Sequence, residues 1–317
     1  MTVQGPINPV QLGFCQCHEH LALSKGVSSE LNSALLIDDP DKSTEEAVRL
    51  KKNGGSALVD AQPGGCNRIE QMLLAVSKVS GIHIIASTGF HKLCFYPENH
   101  WIRTLSEDQL KAFFVQELST GMFHDIDVNA PDLSADTAAS PRAGIVKMAL
   151  DRENLTPVYR RLFAAGAKAA IMTDVPVMVH IEQGSDPIAL FHFLCELGVN
   201  PRRMIFCHLD RAVSDLSIHL ELLKNGIYLE YDTIGRFKYH SDMREIEIFL
   251  EMLRAGYEDQ LLFSLDTTRT RLKAYDESAI GLDYLQTVFV PLMVENGITQ
   301  QQISKISHDN FVRVFTE

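Results

Sequence analysis

The chain has 317 residues, 45% of them hydrophobic and 22% charged, a balance that suits a globular protein able to bury a large core. A formal net charge of −12 opposes nonspecific binding to nucleic acid or to an anionic membrane, because long-range repulsion acts against both. The six cysteines form no dense framework, no basic segment followed by an apolar run opens the sequence, and no apolar stretch reaches about 18 residues, so a reduced, cytoplasmic protein without disulfides is expected.

One rhythm runs along the chain: a helical pattern, a glycine, then a short apolar strand. Residues 13–20 read as the first strand. Ser43-Thr44-Glu45-Glu46 reads as the cap of a helix that stops at Gly54-Gly55, with a strand at 57–60 after it. A helix around 69–80 stops at Gly81 before a strand at 82–87. The stretch from His124 to Arg142, rich in Asp, Ala, Ser and Pro, reads as a long loop before a strand at 144–148. Thr156-Pro157 and Asp186-Pro187 open helices that precede strands at 176–180 and 204–208. Helical patterns at 216–224 and 244–254 lead through Gly226 and Gly256 to strands at 227–231 and 261–266. Eight strands alternating with helices predict a (β/α)₈ TIM barrel filling residues 1–317 as one domain. A doubly wound open sheet is the rival, but no Gly-x-Gly-x-x-Gly turn follows the first strand.

In such a barrel the carboxyl ends of the strands converge on one face, where catalytic groups are found. His18 and His20 end strand one, Lys147 ends strand four, His180 strand five, His208 strand six and Asp266 strand eight. A lone histidine at a strand end is more often a hydrogen-bonded structural residue than a ligand. His18-Glu19-His20 is different, because residues two apart on a strand point to the same side and both imidazoles can reach one ion. Glu19, between them, is expected on the opposite side and outside the ligand set. Imidazole and carboxylate are ordinary ligands for zinc and similar divalent ions. A protonated Lys147 would be repelled by dications; a lysine with a lowered pKa reacts with carbon dioxide to give an anionic carbamate.

Several segments carry a family likeness. His18-Glu19-His20-Leu21, Thr88-Gly89-Phe90-His91-Lys92 with Phe95-Tyr96-Pro97, Ala143-Gly144-Ile145-Val146-Lys147, Val179-His180, Cys207-His208-Leu209-Asp210 and Ser264-Leu265-Asp266 resemble the phosphotriesterase-related family of the amidohydrolase superfamily. The order and spacing match along nearly the whole chain. The resemblance implies that His18, His20 and Asp266 hold one metal and His180 and His208 the other. It also implies that carboxylated Lys147 and a hydroxide bridge the two divalent ions, for which zinc is the expected identity. Asp266 is then the catalytic residue that takes the proton from the hydroxide and passes it to the leaving oxygen. Asp210 reads either as a partner of the ligands or as a carboxylate paired with Arg211.

The loops after strands seven and eight bear on the substrate, since TIM barrels often bind phosphate there. They carry Arg236, Lys238 and Tyr239, then Arg269, Arg271, Lys273 and Tyr275. Arginine grips phosphate in bidentate fashion and lysine adds a point charge, so Lys238, Arg269, Arg236, Arg271 and Tyr239 are the expected substrate-binding residues. The bland alternative is pairing with the carboxylates of Asp242, Glu245 or Asp276. Gly235-Arg236-Phe237-Lys238-Tyr239, Asp266-Thr267-Thr268-Arg269 and Gly281-Leu282-Asp283-Tyr284 resemble members that open phosphorylated sugar lactones, although Arg271-Leu272-Lys273 departs from the more aromatic run of that group. A small-molecule phosphorylated substrate follows, with no nucleic-acid or membrane partner. A homodimer is compatible with such a barrel, though no apolar stripe specifies one. The rivals are a phosphotriesterase or an acyl-homoserine lactonase, both of which want an apolar pocket, and a non-catalytic metal-binding scaffold, which would be expected to have lost a ligand.

Overall fold

The computed structural model describes residues 1–316. Eight parallel strands pair in sequence order: β1 (Phe14–Glu19), β2 (Gly55–Asp60), β3 (His83–Gly89), β4 (Ala143–Leu150), β5 (Val177–Ile181), β6 (Met204–Cys207), β7 (Tyr228–Tyr231) and β8 (Leu261–Phe263). A helix follows each strand: α1 (Pro40–Lys52), α2 (Glu70–Ser80), α3 (Glu107–Ser119), α4 (Pro157–Thr173), α5 (Pro187–Glu196), α6 (Leu216–Lys224), α7 (Asp242–Arg254) and α8 (Val290–Glu295). This is the (β/α)₈ barrel that the alternating pattern predicts. All six cysteines are free, and no helix among the described residues is long and apolar enough to cross a membrane.

Two helix starts differ from the sequence reading. Helix α1 begins at Pro40, where the Asp39 carboxylate accepts from the Asp41 and Lys42 backbone N–H groups at 3.1 and 3.2 Å. Asp39-Pro40 supplies both the capping oxygen and a φ already set for a helix, which outranks Ser43 as a start. Ser43 is instead buried within the helix, its hydroxyl donating to the Leu21 carbonyl at 2.7 Å. Helix α7 begins at Asp242, two residues before the expected Arg244, because the Ser241 hydroxyl caps the Arg244 N–H. Helix α3, with its Ser106/Gln109 capping box, lies in a stretch where no helix was expected, while residues 124–142 hold no regular element.

The barrel interior is packed with Cys15, Cys17, Val59, Ile145, Met178 and Leu262 among others, and Phe311 and Val314 of the C-terminal segment plug its lower end. Strict alternation would put His18 and His20 on the face away from Cys15 and Cys17. The β1–β2 register slips by one residue between Gln16 and Glu19, and that bulge turns both histidines inward. Lys147 needs no such device, since it shares the inward parity of Ile145. Gly89 fixes the neighbouring strand end: at φ 115° a side-chain Cβ would meet the Lys147 carbonyl oxygen at 1.8 Å.

Glu19 closes the ring between β8 and β1. Its buried carboxylate accepts from the Ser264 hydroxyl (2.6 Å), Leu265 N (2.9 Å), Thr267 N (3.1 Å) and Thr267 Oγ1 (2.7 Å). The Asp266 N–H donates to the His18 carbonyl at 3.0 Å across the same seam. Glu19 therefore turns to the β8 side of the seam and holds the loop that carries Asp266. Glu19→Ala would strand these donors in a dry interior. We expect a loss of about 3 kcal/mol or more, read as a lower denaturant midpoint at unchanged slope. An unmoved midpoint would show that the seam closes without this carboxylate.

Candidate metal centre

Each expected ligand reaches the carboxyl-terminal mouth of the barrel, and two need unusual backbone to do so. His208 and Asp266 follow the last residues of β6 and β8 with φ of 70° and 48°, in the left-handed region that non-glycine residues rarely adopt. That turn swings each side chain over the barrel axis. His18 Nε2 lies 3.2 Å from Lys147 Nζ and 3.7 Å from Asp266 Oδ1, and His20 Nε2 lies 3.4 Å from the same oxygen. The His180 and His208 rings pack edge-to-face with centroids 4.4 Å apart, and His18 and His208 are 4.7 Å apart. His18, His20 and Asp266 form one compact group that could hold a metal ion. His18 and His208 form another with Glu230 and Asp232.

The second group shows what the sequence reading missed. Glu230 and Asp232 face the Nδ1 side of the histidines: Asp232 Oδ2 is 2.5 Å from His208 Nδ1 and 3.7 Å from His18 Nδ1, and Glu230 Oε2 is 3.6 Å from His18 Nδ1. An imidazole that offers Nε2 to a metal carries its proton on Nδ1 and needs an acceptor there; Asp232 lies close enough to His208 for that part, while both carboxylates stand beyond hydrogen-bond reach of His18. Burial, Asp232 and a hydrogen bond to it push the Glu230 carboxyl well above its ordinary pKa. The signal was available: Glu230-Tyr231-Asp232 is an acidic pair with the same two-residue spacing as His18-Glu19-His20, at the end of a buried strand.

Arg211 is the other residue the sequence left unassigned. Its guanidinium bridges Asp232 Oδ1 (2.6 Å) and Asp266 Oδ2 (3.0 Å), and Arg236 adds a second cation 2.9 Å from Asp266 Oδ2. Burial alone would raise the Asp266 pKa. Arg236, the His20 contact and Arg211 outweigh it and hold the carboxylate well below the usual range. Asp210 does not pair with the Arg211 guanidinium. Its carboxylate accepts from the backbone of Arg211 (3.0 Å), Asp232 (3.0 Å) and Thr233 (2.6 Å), tying the end of β6 to the loop after β7.

A cavity of about 440 Å³ opens over these groups, lined by His18, His20, His180, His208 and Asp266. Arg236, Lys238 and Tyr239 line it as well, together with Lys92, Arg152 and Arg211, which the sequence reading did not place there. Arg269 and Arg271 lie outside the lining. Arg269 stacks on the Tyr275 ring at 4.8 Å, opposite no anion. Arg271 donates to the Ile234 carbonyl at 2.7 Å and is half-buried; desolvation and the like charge of Arg236 draw its pKa down to about 9. Lys273 packs along Gly281. At the opposite rim Lys92 Nζ lies 2.5 Å from Glu182 Oε2, which in turn is 3.3 Å from His180 Nε2.

The barrel and this set of histidines, lysine and aspartate at its carboxyl face are those of a metal-dependent hydrolase. The model of the phosphotriesterase family matches residues 1–315, and the chain belongs to that family. It is similar to a phospho-furanose lactonase of Mycoplasmopsis synoviae (strain 53), with 26% identity covering 99% of this chain and 90% of that one. It is also similar to an N-acetyltaurine hydrolase of Tetraodon nigroviridis, with 28% identity covering 98% and 95%. Among solved structures, a lactonase from Listeria monocytogenes matches with a TM-score of 0.89 and 26% identity, covering 99% and 98% of the two chains.

The imidazoles give this site a pH signature. Burial holds His18 and His208 well below 6.5 and brings His180 down to about 4. Between those values the unfolded chain binds protons that the folded chain refuses, so stability is lost as pH falls from 6.5 toward 4. Denaturant titrations of chelator-stripped protein should therefore give a lower unfolding free energy at pH 5 than at pH 7, with a shallower dependence in His180→Asn. A stability that rose on acidification would contradict the buried neutral imidazoles.

Proposed function

We propose that this chain is a single-domain, binuclear hydrolase that opens a small phosphorylated sugar lactone. The observation that carries the reading is one cavity lined both by the ligand histidines and by Arg236 and Lys238. His18, His20 and Asp266 would hold one divalent ion, and His180 and His208 the other, with carboxylated Lys147 between them. Lys147 fits that role: it is 1% exposed, its Nζ lies beside His18 Nε2, and no carboxylate pairs with it among the described residues. A carbamate turns this uncompensated cation into an anion facing the ions. Zinc suits the imidazole and carboxylate donors.

When bound, such ions bring the pKa of water near neutrality and polarise the scissile carbonyl. The protein's own groups do the rest. Asp266, kept ionised by Arg236 and Arg211, takes the proton of the attacking hydroxide and delivers it to the ring oxygen as the C–O bond breaks. Lys238, exposed at the rim with its ammonium 4.8 Å over the Tyr239 ring, and Arg236 anchor the phosphate; that remote binding orients the carbonyl. Arg269 and Arg271 have secondary parts, as a cation beside the rim and as a brace on the Ile234 carbonyl of the loop that carries Arg236. The free thiols suit a reducing, cytoplasmic setting.

A neutral phosphotriester or an acyl-homoserine lactone would bring no anion to Lys238 at the rim, and a scaffold would not need every ligand retained. One further reading has specific support. A relative named for N-acetyltaurine is as similar as the lactonases, and the same cations would hold a sulfonate while the centre attacked an amide. Turnover against lactones with and without a terminal phosphate, and against N-acetyltaurine, separates the two. We expect phosphorylated lactones to give the highest kcat/KM, and Lys238→Ala to raise KM by about tenfold with kcat little changed. Preference for neutral esters, or an unchanged KM in Lys238→Ala, would overturn the phosphate reading.

A further inference from the structure

His91 stands in the cavity wall directly after the strand end that abuts Lys147, and the reading above gives it no role. Its surroundings leave it little freedom. The His91 backbone N–H donates to the Tyr96 hydroxyl at 2.8 Å, and the ring packs against Phe95 with centroids 4.4 Å apart. The Tyr96 hydroxyl belongs to a side chain that is itself buried, so the anchor is fixed. On its other side the His91 ring faces the His180 ring, 5.5 Å between centroids, and it lines the same cavity as His18, His20 and Asp266.

The ring's tautomer follows from one hydrogen bond. The Lys92 backbone N–H donates to His91 Nδ1 at 2.7 Å. A nitrogen that accepts from an N–H carries no proton, so the ring's hydrogen sits on Nε2. That nitrogen is the one remote from the backbone, on a ring that lines the cavity. The wall therefore offers a neutral N–H donor, rigidly held, next to the histidines that would hold the second ion.

We propose that His91 is a catalytic residue whose Nε2–H hydrogen-bonds the substrate's carbonyl oxygen and strengthens that bond as the oxygen becomes an oxyanion. This rests on the hydrolase reading above. When hydroxide oxygen bonds to the carbonyl carbon, the C=O π pair moves onto oxygen. The Nε2–H meets that charge without transferring its proton. When the carbonyl re-forms, the bond to the leaving oxygen or nitrogen breaks, and the proton of the attacking hydroxide goes to the leaving group through Asp266. A neutral imidazole suits the task, since it donates without adding positive charge beside two dications. Lys92, the next residue, is drawn aside by Glu182 and leaves the imidazole as the donor at this position.

Steady-state kinetics on the fully metal-loaded enzyme test this. His91→Phe should retain two ions per chain, keep KM for the best lactone within about threefold and lose roughly a hundredfold in kcat. His91→Gln, which keeps an N–H at similar reach, should recover part of that loss. An unaffected kcat in His91→Phe would overturn the proposal, and so would loss of one ion per chain, which would make His91 a ligand instead. Nitrogen-15 spectra of histidine-labelled wild type, with the His91 signal assigned by its absence from His91→Gln, read the tautomer independently of folding or turnover. Protonated Nε2 with bare Nδ1 is expected; a proton on Nδ1 would overturn the proposal. A wild type inactive on every lactone and amide would remove the hydrolase reading and this role with it, whereas an active wild type matched by His91→Phe would remove only the latter.

Discussion

Desolvation is the constraint on which this structure turns. Five imidazoles, an ammonium and several carboxylates crowd the mouth of an apolar barrel, and each charged group among them costs free energy unless something compensates it. Asp266 is compensated by Arg211 and Arg236, His208 by Asp232, and Glu19 by the donors of the β8 loop. Lys147 alone has no carboxylate among the described residues. That exception is what the proposed carbamate and ions would remove.

The backbone follows from the same demand. A β-bulge in β1, left-handed turns at His208 and Asp266, and a glycine packed on the Lys147 carbonyl are each local departures from regular geometry. They converge on one face because strand ends in a parallel barrel converge there. Strain of this kind persists only where surrounding contacts over-determine it. Asp210 illustrates how: its carboxylate gathers three backbone N–H groups and so fixes the loop that presents Asp232 and Arg236.

The barrel was legible in the sequence because its signal is periodic: apolar strands, glycine stops and capped helices repeat with the spacing that the fold requires. The residues gathered at the barrel mouth were legible because each was read at or beside the end of a strand, although Lys147 lies three residues before the end of β4. Helix α1 was misplaced at its start because two cap signals lie within five residues of each other and only packing decides between them. Glu230, Asp232 and Arg211 were not recognised because outer partners of a site have no motif of their own; they are found by asking which acceptor the far nitrogen of each histidine must have. The cationic loops were over-read for a related reason. Sequence adjacency brings Arg236, Arg269 and Arg271 to one end of the barrel, but only geometry tells that Arg236 lines the cavity while Arg271 bonds the Ile234 carbonyl and Arg269 turns to Tyr275.

The central claim is that these residues hold a pair of divalent ions. Equilibrium titration of chelator-stripped protein with zinc, followed by elemental analysis of the desalted product, tests it most directly. The account predicts two ions per chain in the wild type and one in His180→Ala, with the ion bound through His18, His20 and Asp266 retained. One ion in the wild type, or two in His180→Ala, would contradict it.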